Sequence, residues 1–293
     1  MRLVDAANER SAPSKGVIGE SSVLSPFSVK TSRSFAVLDK SFLDGVNSAQ
    51  LQYYAQNGWT FGLTEALMHE HFRKRDRRRV ANLFKLHSIE RSIVLLPGIG
   101  EMFRMEARTL KPARMTMQAK RIEFTPQKGP SGQYFELDDP SLTSTEERSR
   151  ELKLELHTIV DVWQSELREM PDLKNANPKQ LPEIIKELSL KIRNDRADIR
   201  GFYANHRHAN FPPPELLDEE WAFFRWIQVQ LLAGLDFIGR HGVNAKLNEE
   251  GMLHELLGMD YLISALLVGG LACRETRFVE RFRFLRPDGV ILR

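Results

Sequence analysis

Asp260-Tyr-Leu-Ile-Ser-Ala-Leu-Leu-Val-Gly-Gly-Leu-Ala-Cys-Arg-Glu275 is the stretch whose reading decides the fold. An acidic residue opens an apolar helix, the pair Gly269-Gly270 stops it, and Leu271-Ala272-Cys273 forms a short apolar run that carries Glu275 into the next turn. A helix, a glycine stop and a strand in such quick succession are the marks of an α/β unit. With a carboxylate at each end, the stretch reads as half of a metal site whose other half must lie far upstream.

Outward from it, Thr276 to Leu285 is helical, and Pro287-Asp-Gly-Val-Ile-Leu292 reads as a turn and a final strand. Upstream, Phe35-Ala-Val-Leu-Asp39 is an apolar run ended by a carboxylate, with a helix expected from Ser48 to Gln56. Asn57-Gly58 breaks that helix, and Trp59-Thr-Phe-Gly-Leu-Thr64 is a run of β-formers. From Glu65 the pattern is helical, with Leu67, Phe72, Val80, Leu83 and Phe84 as an interrupted apolar face. Ser92-Ile-Val-Leu-Leu-Pro97 gives a third strand, and Glu101 to Leu110 a helix after it. Strand-to-helix units in a row predict a central parallel sheet, because parallel neighbours need a helical crossover. The expected fold class is α/β, a three-layer arrangement with about five strands near 35–38, 59–63, 93–96, 270–273 and 289–292.

The alternation stops between the two halves. Thr143-Ser-Thr-Glu146 has capping-box spacing and opens a helix to about Met170. Further helices are expected from Leu181 to Ala204 and from Glu219 to Arg240, the latter capped by Asp218, followed by a polar connection from Gly239 to Leu253. The expected organisation is a loosely attached arm (1–33), a first half-domain (34–110), a mainly helical insertion (111–249) and a second half-domain (250–293).

Bulk composition narrows the function classes. The chain has 293 residues, 42% of them hydrophobic, which suffices for a sizeable core. A net charge of +3 barely favours an anionic partner, so any basic surface must be local. A single cysteine, Cys273, rules out an internal disulfide framework and a cysteine-based zinc site, and suits a reducing cytoplasm. Residues 1–34 hold no signal-peptide core, and the longest apolar window, Leu262 to Cys273, is too short for a bilayer crossing. No membrane association is expected.

In an open α/β sheet, functional side chains gather at the carboxyl ends of the strands. Asp39 follows the first strand and Glu275 the fourth; Glu70 lies in the helix after the second, and Asp260 near the start of the helix leading into the fourth. Converging carboxylates repel one another unless a divalent cation neutralises them, and hard oxygen ligands select Mg²⁺ or Mn²⁺. Such ions activate water and stabilise charge on phosphate oxygens, which is phosphodiester hydrolysis without a covalent nucleophile. Glu65 competes with Glu70 for its place, and Glu255 with Asp260; Glu275 has Arg274 and Arg277 as alternative ion-pair partners. The basic segment containing Arg73, Lys74, Arg77 and Arg78 fits either a phosphate backbone or a solvated helix face.

Phe35-Ala-Val-Leu-Asp39, Thr64-Glu-Ala-Leu-Met-His-Glu70 and Asp260 through Leu271-Ala-Cys-Arg-Glu275 resemble the successive acidic motifs of the PIN-domain nucleases, over about residues 34–110 and 250–293. The resemblance implies a PIN-like parallel-sheet fold and metal-dependent cleavage of RNA, less often DNA. It also implies toxin–antitoxin, RNA-processing and phage-defence roles, with an inhibitory or complex-forming protein partner; a homo-oligomer stays open. On this likeness Asp39, Glu70, Asp260 and Glu275 are the catalytic, metal-binding acids. Cys273 stands where the family usually has Thr or Ser, so hydroxyl support for the last carboxylate is expected to be lost.

Two other readings stand beside it. A non-catalytic PIN-like interaction module would use the helical insertion for assembly. A nucleotide-binding protein is disfavoured because Pro97-Gly-Ile-Gly lacks the Lys-Ser/Thr ending of a phosphate loop. His69-Glu-His71 and His206-Arg-His208 lack metal-ligand spacing, and Trp221, Phe223, Phe224 and Trp226 read as core or interface.

Overall fold

The structure is a computed structural model that describes residues 34–73, 77–122, 127–129, 132–134, 170–177, 179–205, 212–242 and 249–293. The first half runs β1 (Phe35–Leu38), α1 (Lys40–Gly45), α2 (Ser48–Gln56), β2 (Thr60–Leu63), α3 (Glu65–Arg73), α4 (Arg77–His87), β3 (Ile93–Leu95) and α5 (Ile99–Thr109). It continues with β4 (Lys120–Arg121), a hairpin of β5 (Gln127–Gly129) and β6 (Gly132–Tyr134), and helices α6 (Pro171–Lys174), α7 (Leu181–Asn194), α8 (Arg196–Asn205) and α9 (Ala222–His241). The chain closes with α10 (Glu249–Val268), β7 (Gly270–Ala272), α11 (Thr276–Leu285) and β8 (Val290–Leu292).

The main sheet has the order β4-β3-β2-β1-β7-β8, all parallel except the β3–β4 edge pair. The five expected strands are all present. β4 is an antiparallel addition, and together with the β5–β6 hairpin it lies inside the stretch expected to be mainly helical. Ala36, Val37 and Leu38 are all fully buried, as are Leu271 and Ala272 or nearly so. Successive strand side chains point to opposite faces, so burial of consecutive residues means both faces of the central strands are covered, giving a three-layer α/β sandwich.

Winding sets the functional edge. From β1 the chain steps outward to β2 and β3, then returns to the other side of β1 to lay down β7 and β8. The order of strands therefore reverses between β1 and β7, which is where such sheets open a crevice at their carboxyl ends. Gly269 and Gly270 make this return feasible. Gly269 adopts φ +88° just after α10 and donates its N–H to the Ala265 carbonyl, a left-handed helix stop that suits glycine. Gly270 lies so close to the Phe35 carbonyl that a Cβ there would collide with backbone.

Several boundaries differ from expectation, each for a local reason. Asp260 does not open its helix, because α10 starts at Glu249 and Asp260 falls in its middle. The helix expected from Leu181 to Ala204 is interrupted at Asp195, which is extended (φ −108°, ψ 101°) and whose Oδ1 accepts the Ala197 N–H at 2.8 Å to start α8. The basic helical stretch after β2 is described as far as Arg73 and again from Arg77, as α3 and α4, and residues 74–76 lie outside the described residues. The Thr143–Glu146 capping box and its helix lie outside the described residues.

Asp218 does not cap α9. It accepts the Glu220 N–H within the preceding turn, whereas the N-terminus of α9 is held by Glu106 from α5, 116 residues earlier in the chain. The Glu106 carboxylate accepts the N–H groups of Ala222 (2.7 Å), Phe223 (3.1 Å) and Ala113 (3.2 Å) and is fully buried. Phe223 stacks on Phe103 with centroids 4.1 Å apart, so the aromatic segment of α9 is core. Arg281 of α11 then ties α10 and α9 by ion pairs to Glu255 and Asp236. The helices between the half-domains are thus packed onto them through α9.

Two measurements test these contacts. Gly270→Ala must push β1 from β7, so chemical denaturation is expected to show a loss of about 1–3 kcal/mol or more. Burial pushes the Glu106 carboxyl up to about 7, against the pull of its three N–H donors. A carboxyl raised in the fold gives its full stabilisation below its ordinary range near 4.5 and loses it as pH climbs toward 7. The melting temperature of the native chain relative to Glu106→Gln is expected to fall between pH 5 and 8; parallel profiles would refute this.

Candidate active site at the β1–β7 crevice

Asp39 is the residue after β1, and its backbone N–H still pairs with the Ala272 carbonyl of β7 at 3.0 Å. Its side chain caps α1, with Oδ2 accepting the Ser41 N–H at 3.2 Å and the Ser41 hydroxyl. The Cys273 thiol donates to the same oxygen at 3.0 Å. Ser41 Oγ in turn accepts the Arg274 N–H at 2.9 Å, sewing the loop after β1 to the loop after β7. Asp39 is therefore both a helix cap and a member of the crevice.

The hydroxyl support expected to be lost concerned the Glu275 carboxylate, whereas the donors gathered around Cys273 serve Asp39. The thiol is itself the donor to Asp39, and Ser41 brings a hydroxyl from the other strand end. Burial and the adjoining Asp39 charge push the Cys273 thiol far up, so it stays protonated and donating.

Glu70 reaches the same place from α3. The Tyr261 hydroxyl of α10 donates to its Oε2 at 2.6 Å, while His254 Nδ1 stands 3.9 Å from its Oε1. Burial raises the Glu70 carboxyl above its ordinary range; the Tyr261 hydrogen bond and the His254 charge oppose that rise, and the neighbouring Asp39 charge adds to it. Glu275 begins the turn after β7. Its Oε2 lies 3.4 Å from His254 Nε2 and its Oε1 3.5 Å from Arg277 Nη2. The His254 hydrogen bond holds the Glu275 carboxyl below its ordinary range. One imidazole thus spans two of the carboxylates, bringing Asp39, Glu70 and Glu275 into a single electrostatic neighbourhood.

Asp260 is half-buried on α10, and its charge is felt at the Tyr261 hydroxyl together with those of Glu70 and Asp39. Of the competing acids, Glu255 is engaged by Arg281 and by Arg277 at 2.7 Å, a structural ion cluster. Glu65 lies over Gly98, where an added Cβ would stand 2.6 Å from its carboxylate, toward the β3 end of the sheet. Glu70 is the carboxylate of α3 that enters the crevice.

His254, Tyr261 and Ser41 were not among the residues picked out by sequence. Their signals are the seven-residue, two-turn spacing of His254 and Tyr261 on one helix stripe, and the Asp39-Lys-Ser41 capping spacing. His69 and His71 are buried, with His71 Nε2 3.1 Å from the Asn82 amide, which also donates to Asp44. Lys40 pairs with Asp44 at 2.6 Å beside the crevice. Lys74, His206 and His208 lie outside the described residues, as do the side chains of Arg73, Arg77 and Arg78.

The crevice gathers carboxylate oxygens, and the like charges of Asp39 and Glu70 work against each other. Among the described residues no group of three or more His, Cys, Asp or Glu side chains is arranged to hold a metal ion as it stands. His254 and Tyr261 instead close on the carboxylates.

The His254 bridge has a measurable signature. Its hydrogen bond to Glu275 and the nearby Glu70 charge raise the imidazole above its ordinary value near 6.5, despite partial burial. A group raised in this way stabilises the fold fully below 6.5 and ceases to do so as pH rises through its folded value. An NMR titration is expected to place His254 above 6.5 in the native chain and to bring it down in Glu275→Gln. An unchanged midpoint in that variant would remove the bridge.

Compared with known proteins, the chain matches no family model, no curated protein and no solved structure.

Proposed function

We propose that this protein is a metal-dependent endoribonuclease of PIN-like type, with Asp39, Glu70 and Glu275 as the carboxylates of its site. The observation that carries the reading is their convergence, through Tyr261, His254, Ser41 and Cys273, at the point where the strand order reverses. A bound Mg²⁺ or Mn²⁺ would supply an activated water and stabilise charge on the phosphate oxygens. Asp39 and Glu70 would hold it, and Glu275 would turn from His254 to join them. Asp260, whose charge reaches the Tyr261 hydroxyl beside Glu70, stands as the fourth acid of this reading. The basic segment around Arg73, Lys74, Arg77 and Arg78 comes soon after Glu70 in the chain and suits the backbone of an RNA, with DNA as the lesser substrate.

A cytoplasmic toxin or defence effector, checked by a protein partner, is the setting we favour. No described helix is long and apolar enough to cross a membrane.

The second reading is a PIN-like interaction module without catalysis. It is favoured by His254 lying across Glu70 and Glu275, where it already neutralises part of their charge.

Cleavage assays on single-stranded and structured RNA with Mn²⁺ or Mg²⁺ separate the two. Asp39→Asn and Glu70→Gln are each expected to cut cleavage by about a hundredfold or more while the circular dichroism spectrum is retained, since a metal-stabilised transition state is worth several kcal/mol. Undiminished cleavage by the Asp39 and Glu70 variants would overturn the site, and a native chain that neither cleaves nor takes up Mn²⁺ would leave the module.

A further inference from the structure

We propose that Arg274 and Lys85 form a phosphate-binding subsite beside the crevice, which takes a backbone phosphate of single-stranded RNA next to the one lying over the carboxylates. This deepens the nuclease reading and rests on it for the identity of the strand; it needs no metal ion. Arg274 stands between Cys273 and Glu275, and its backbone N–H donates to Ser41 Oγ at 2.9 Å. From there its side chain lies back across Gly45, the last residue of α1, so closely that an added Cβ would stand 2.7 Å from its Cζ. Lys85 reaches the same helix end from α4, where its Nζ donates to the Leu43 carbonyl at 2.7 Å.

A single cation at this place has a structural explanation, because the last carbonyls of a helix attract lysine. The second cation does not share it. Burial lowers the Lys85 ammonium below its ordinary value; the Asp44 charge opposes that fall and the Arg274 charge adds to it, so the two cations are near enough to repel. Asp44 is already taken by Lys40 at 2.6 Å and by the Asn82 amide. Among the described residues the Arg274 guanidinium, which is exposed, pairs with no carboxylate. Two adjacent cations short of an anion suit phosphate oxygens, which Arg takes with a planar fork and Lys with a point charge. Their place fits a strand that crosses the crevice. The six residues of α1 span about 9 Å between the Asp39 cap and Gly45, so neighbouring phosphates of one strand can reach both ends.

The test is binding of a fluorescently labelled single-stranded oligoribonucleotide to the full chain in EDTA, read by anisotropy over a series of KCl concentrations. Cleavage in Mn²⁺ and thermal melts are measured on the same proteins. Each phosphate contact to a single strand contributes about 0.7 to the slope of log affinity against log salt. Arg274→Gln and Lys85→Gln, which keep a hydrogen-bonding side chain, are each expected to reduce that slope by about 0.7, and together by about 1.4. Arg274→Lys keeps the charge and is expected to keep the slope. Neutralising two other exposed cations, Arg283→Gln on α11 with Lys191→Gln on α7, is expected to leave it unchanged. Should the double variant of Arg274 and Lys85 fail to fold, the single variants carry the reading. An unchanged slope in both singles, an equal fall in the Arg283 and Lys191 control, or a native chain that binds no oligoribonucleotide overturns the proposal, and cleavage in Mn²⁺ by that native chain keeps the nuclease reading. A slope that falls as expected in a chain that cleaves no RNA does the reverse.

Discussion

The pairing of β1 with β7 is the constraint on which the rest of the molecule hangs. Val37 and Leu38 stand in register with Leu271 and Ala272, and the ladder continues past both strands through the Asp39 N–H and the Ala272 carbonyl. This register places Asp39 beside Cys273 and Glu275 at a common edge. It tolerates only glycine at position 270, because the Phe35 carbonyl occupies the space of a side chain. A shift of one residue would turn the apolar set of a central strand to the opposite faces and carry Asp39 away from the thiol.

Buried polar groups then secure the layers that apolar packing alone would leave free to slide. Glu106 satisfies the orphan N–H groups at the start of α9, where a local cap would have served a less buried helix. Arg281 joins Glu255 and Asp236, and Phe278 of the same helix packs over Gly258. Such groups are costly to bury unless paired, and removing one partner is worse than replacing the set. They specify where α9, α10 and α11 sit, and through α10 they specify where His254 and Tyr261 meet the carboxylates.

Much of this was legible in the chain. The strands were readable because each is a short apolar run, bounded by Gly, Pro or Asn in every case but the first, and the parallel sheet followed from their alternation with helices. The places of Asp39 after β1 and of Glu275 soon after β7 were readable because position relative to a strand end fixes where a side chain emerges. Asp260 was placed by the same logic at a helix start, but nothing local marks where an apolar helix begins when its first turns lie in a polar stretch, and α10 runs further back than its pattern implied. His254 and Tyr261 were missed for a related reason. Their partners are in α3 and in the loop after β7, and only tertiary packing says which stripe of an all-round apolar helix faces them. Glu106 is the extreme case, a cap supplied from another element.

The Cys273 thiol and the Asp39 carboxylate that it touches are 234 residues apart in sequence. Contacts of such separation carry a large loop-closure cost and form late, whereas local strand–helix units form early. During synthesis β1, Asp39 and Glu70 emerge well before His254, Tyr261, β7 and the thiol. Until β7 arrives, β1 lacks its neighbour on that side, Glu70 lacks Tyr261 and His254, and Asp39 has Ser41 without the thiol. Whatever the crevice does, it waits for β7 to join β1, because its parts come from strands made far apart in time.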